Sequence, residues 1–167
     1  PLSETARCAG VFTVQCHDPD GNLVWEERFD NLWTTVGKNN TLDNQMAGSS
    51  WTASWYIGLI TATGYTTGPA AGDTSASHSG WAESQNYSQG TRPSAAWNSA
   101  SGGTKALSSA AVFTMNATDT IKGAFLISNS TKGGATGTLF SAGTFSGGDQ
   151  PVISGNSLSV NYSVSIT

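Results

Sequence analysis

The chain has 167 residues, of which only seven are Lys or Arg and eleven Asp or Glu. Charged residues therefore make up 11%, against roughly 25% in ordinary globular domains, and 20 glycines add to a surplus of small side chains. A helical bundle coated with Glu, Lys and Arg is excluded, the net charge of −4 with scattered cations argues against nucleic acid, and no apolar run approaches the roughly 20 residues of a membrane span.

Ser and Thr in place of charged residues favour strands and turns over helices, so the composition reads as all-β. The length fits one domain, residues 11–167, behind an N-terminal arm of residues 1–10. No basic-then-apolar segment opens the chain, so export is not expected, and Pro1 is read as following a trimmed initiator Met. Cys8 and Cys16, if carried on one extended strand, lie roughly 26 Å apart, too far for a disulfide. Free thiols are the first expectation and a bridge across a turn at Ala9-Gly10 the second.

In chain order, Val11 to His17 alternates Phe12, Val14 and Cys16 with Thr13, Gln15 and His17, the pattern of a half-buried strand. The DPDGN stretch from Asp18 to Asn22 is turn chemistry, and Leu23, Trp25 and Phe29 resume an apolar face through Asp30, predicting a hairpin. Thr34 or Thr35 caps a weak helix over 36–47, with Val36, Leu42, Met46 and Ala47 as its apolar stripe and Gly48 as stop signal. Trp33 is expected to pack as a staple ahead of it. From Trp51 the chain returns to strand, with Trp55, Ile57 and Leu59 on one face.

Residues 61–105 are nearly all Gly, Ser, Ala and Thr, punctuated by Tyr65, Trp81, Tyr87, Arg92 and Trp97. A loop of this length inside a compact domain requires something to order it: the domain's own surface, a neighbouring copy, or a larger assembly. Further strands are predicted at Ala111 to Asn116, Ile121 to Ser128 and Thr138 to Phe145, with a short one near Val152-Ile153. The closing LSVNYSVSI puts Leu158, Val160, Tyr162, Val164 and Ile166 on one face and polar residues on the other, the mark of an antiparallel strand with one wet face. Strands at such irregular spacing fit an antiparallel β-sandwich or jelly roll.

Catalytic chemistry finds little footing. Asp18, Asp20 and Asn22 lack the EF-hand order, since Gly21 is fourth where a sixth is required, and are read as a turn. Glu26 and Glu27 are strand neighbours and point to opposite faces, so they do not form the facing pair of a glycosidase. There is no G-x-S-x-G, and His17 and His78 sit in bland surroundings. The glycines at Gly102 to Lys105 and Lys132 to Gly137 lack Walker spacing. No enzyme activity, metal or cofactor is expected. Trp25 and Trp55 read as core; Trp51, Trp81 and Trp97, in small polar surroundings, either pin the loop to the sandwich or anchor a partner.

The order of short motifs carries more than any one of them: FDNLWTTVGKNNTLD after the hairpin, then WYIGL, WAE with a following Tyr, TRP, GAFLIS, GTLFS and a closing GNSLSVNY. Over about residues 11–166 this order resembles small virion proteins of tailed bacteriophages, a group that includes capsid decoration (cement) proteins and some tail-associated proteins. The resemblance implies a sandwich or jelly roll without an active site that assembles on the phage particle. Its expected partners are the major capsid protein and copies of itself, as dimer or trimer, on a virion assembled in the host cytoplasm. The expected contacts are the N-terminal arm and the long loop, through Leu2, Arg7, Trp81, Tyr87, Arg92 and Trp97, together with Trp51. The alternative is a tail-associated or receptor-binding module that recognises a host glycan.

Overall fold

The computed structural model describes residues 7–46 and 54–167. These residues build two antiparallel sheets and one helix. The first sheet contains β1 (Cys8–His17), β2 (Leu23–Asp30), β6 (Thr104–Ala106), β7 (Ala111–Thr114) and β11 (Ser157–Ile166). The second contains β3 (Leu32–Trp33), β4 (Tyr56–Thr61), β5 (Ala82–Glu83), β8 (Asp119–Ile127), β9 (Leu139–Thr144) and β10 (Gln150–Val152); helix α1 is Thr35–Met46.

The expected hairpin is β1–β2. Its turn is organised by Asp18, whose carboxylate accepts the Asp20 and Asn22 amides at 3.0 and 2.8 Å, and Gly21 takes φ +86°. On its other edge β1 pairs with β11 over their full length, from Cys8↔Ile166 to His17↔Ser157, and β6 and β7 share the far edge of β11. The second sheet runs β3-β9-β8-β4-β5, with β10 on the first residues of β8.

The alternation read from the sequence is the core of the sandwich. Phe12, Val14 and Cys16 from β1 and Leu158, Val160 and Tyr162 from β11 meet Ile57, Leu59, Ala124 and Leu126 from the second sheet. Both cysteines are free, Cys8 exposed and Cys16 buried, and Ala9-Gly10 lies inside β1, so the turn needed for a local bridge is absent. Burial first, and the nearby Asp18 charge second, push the Cys16 thiol up to about 11.

Two expectations are corrected. The helix forms where expected, capped by Thr34, whose hydroxyl accepts the Gly37 amide at 3.0 Å. It does not dock through the proposed stripe: Leu42 and Met46 are 57% and 82% exposed, and Gly37 is the buried residue. A Cβ at position 37 would stand 2.3 Å from the Phe140 carbonyl oxygen, so the helix approaches β9 through backbone, where no apolar stripe is needed. Ala47 and Gly48 lie outside the described residues.

The second correction concerns residues 61–105, which are not one loop. They contain β5 and the start of β6, and isolated bridges join Tyr87 to Met115 and Trp97 to Leu107. Its earlier part lies over the outer face of the second sheet and closes a second apolar cluster of Ile60, Trp81, Phe125, Ile127, Leu139 and Ala142, whereas Tyr87, Ala95 and Trp97 pack into the first. β4 and the second half of β8 are consequently buried on both faces.

Candidate functional site

Seven residues were expected to contact a partner, and the structure divides them. Leu2 and Trp51 lie outside the described residues. Arg7 is exposed and its backbone pairs with Thr167, tying the start of the described chain to its end. Trp81, Tyr87 and Arg92 are 5%, 0% and 3% exposed, so their side chains serve the chain's own fold and do not face a partner. Trp97 is half-buried.

The three inward residues pin the long segment down, which selects the domain's own surface among the three ways of ordering it. The Trp81 indole donates to Asp73 Oδ2 at 2.8 Å, packs on Phe125 at 5.5 Å and stacks with His78 at 4.1 Å. Arg92 holds Glu83 through two parallel bonds of 2.8 Å and also donates to the carbonyls of Asn129 and Gly134. The Glu83 carboxylate takes the Gly133 amide at 2.7 Å as well, so the pair clasps the 129–134 loop against the segment. Lys132 closes the clasp from outside, over the Tyr87 ring at 4.1 Å and bonded to the Tyr87 carbonyl at 2.8 Å. Burial first, then the Glu83 charge, raises the Tyr87 phenol well above its ordinary value.

A third carboxylate works the same way. Asp119, buried at the start of β8, accepts the Thr61 hydroxyl at 2.8 Å, the Ser84 hydroxyl and the Asn86 amide at 3.1 Å, joining β4, β5 and the segment beyond. These acids were not singled out in the sequence, and no spacing could have done so, because their partners come from remote positions. A hollow of about 270 Å³ remains beside the clasp, between Trp81, Gln85, Arg92 and Ala135. Its acid and base, Glu83 and Arg92, already hold each other, and Ser75 and His78 also line it. Among the described residues no group of three or more His, Cys, Asp or Glu could hold a metal ion.

The second depression differs in character. It is a cleft of about 320 Å³ between α1 and one end of the sandwich, floored by Trp55, Trp97, Phe140 and Leu126 and walled by Asn40 and Gln45. Trp55, read as core, is only half-buried and forms part of this floor, as Trp97 does.

The segment's outward side is uniform. From residue 62 to residue 104 every exposed residue is Gly, Ala, Ser, Thr, Asn or Gln. No known protein family matches the chain, and no curated protein matches it significantly.

Proposed function

We propose that the chain is a non-enzymatic structural protein of a tailed-phage virion, and within that class a capsid decoration protein that binds the assembled head and stabilises contacts between major capsid subunits. The observation that carries this reading is the outward face of residues 62–104. It is uncharged, made of short side chains, and held in place by buried pins. Docking such a face immobilises few rotamers, where a Lys- or Glu-rich surface loses about 0.5–1.5 kcal/mol for each ordered side chain. The lattice repeats a modest contact many times over, and stability of the shell follows from that repetition. The ordering motif sequence in the chain supports the phage assignment.

The test is cryo-electron microscopy of particles from a strain lacking the gene and from its parent. Loss of regular density across the capsid lattice, with lower resistance to heat, is the expected result. Density lost only from the tail overturns it and favours the second reading, a tail-associated or receptor-binding module, to which the aromatic and amide-lined cleft beside α1 gives specific support.

A further inference from the structure

We propose that the cleft between α1 and the Trp55–Trp97 end of the sandwich is a binding site for a carbohydrate, one pyranose ring lying against the indoles. The proposal rests on the second reading above and names its ligand class and site. Two half-buried indoles are held by edge-to-face neighbours, Trp55 by Phe140 at 5.1 Å and 69°, Trp97 by Tyr162 at 6.0 Å and 75°. A floor that is fixed before binding loses little entropy when a ligand arrives.

The opposite wall is the polar side of α1: Thr41 and Gln45, with an amide pair in which Asn44 Nδ2 donates to Asn40 Oδ1 at 3.1 Å. An entirely apolar ligand would strip water from the exposed Gln45 amide without replacing its hydrogen bonds. A cationic ligand finds no counter-charge, because no carboxylate among the described residues lines the cleft, whereas the exposed Lys105 ammonium, which donates to the Asn98 carbonyl at 2.9 Å, keeps further N–H donors for ligand oxygens. A sugar ring carries both an apolar C–H face and hydroxyls at its edge, so it matches floor and wall at once. The volume of about 320 Å³ lies at the small end of ligand pockets, which suits one or two rings and not a long chain.

The experiment is a titration of the ¹⁵N-labelled full chain with glucose, galactose, mannose and N-acetylglucosamine, observing the indole N–H and side-chain amide resonances. Saturable shifts of Trp55, Trp97 and Gln45 with at least one sugar are expected. Gln45→Ala, on the exposed rim, should weaken that binding several-fold with an unchanged spectrum elsewhere, and Trp97→Ala should weaken it about tenfold or more. Silence of these resonances with every sugar overturns the site. Adsorption of the labelled protein to intact bacterial cells separates the two readings: adsorption that survives Gln45→Ala and Trp97→Ala overturns this cleft and leaves the receptor reading standing, whereas absence of both adsorption and sugar shifts overturns both.

Discussion

Arg92 and Glu83 are nine residues apart in sequence and form a bidentate pair with side chains 3% and 6% exposed. Removing one member of such a pair strands the other charge away from water, so Arg92→Ala should cost about 3–5 kcal/mol. A lower urea midpoint at unchanged slope checks this. Arg92→Met combined with Glu83→Leu should recover part of the loss, the remainder being the Asn129 and Gly134 carbonyls left without donors and the Gly133 amide left without an acceptor. Tyr162 supplies a second prediction. Burial pushes its phenol up to about 12, although hydrogen bonds with Ser141 and Asn31 pull the other way. Below pH 10 folded and unfolded chains both keep this proton, whereas between pH 10 and about 12 the unfolded chain releases it first. Stability therefore falls as pH rises through that window, and the urea midpoint of Tyr162→Phe should fall less steeply there. Tyr87, also raised, adds to the same slope.

At the scale of elements, α1 separates what periodicity can and cannot show. Its Thr34 cap and its extent were readable, because both are local chemistry. Its docking face was not, because the buried contact is a glycine against the Phe140 carbonyl, and a missing side chain leaves no mark in an apolar pattern. Gly37→Ala should destabilise the protein by about 1–3 kcal/mol and reduce its helical circular dichroism. Met46→Lys, on a side chain 82% exposed, should leave the unfolding midpoint within about 0.5 kcal/mol of the parent. The strands with one wet face, β1 and β11, were legible residue by residue, from Phe12, Val14 and Cys16 to Leu158, Val160 and Tyr162. β4 and β8 were legible as strands, but the reason both their faces are apolar lies in Trp81 and the segment that covers them.

For the whole molecule, the open question in the sequence was what orders residues 61–105. The segment is secured by Trp81 on Asp73, Arg92 on Glu83, and the Asp119 carboxylate on Ser84 and Asn86, all within one chain. The isolated protein should therefore resist elastase throughout the segment under native conditions. Limited proteolysis followed by mass spectrometry reads this directly, and Arg92→Ala should open the same region to cleavage. The sequence by itself determined the all-β class, the β1–β2 hairpin, the inward faces of β1 and β11, and the existence of one short helix, since each depends on period, capping or turn residues close together in the chain. Only the tertiary structure decided that Trp81, Tyr87 and Arg92 face inward, that Asp73, Glu83 and Asp119 are their anchors and joints, and that Trp55 and Trp97 line one cleft beside α1. Those outcomes depend on pairs such as Arg92 with Asn129 and Trp55 with Phe140, whose separations along the chain follow no period, so burial and partner are set only when the two sheets and the covering segment come together.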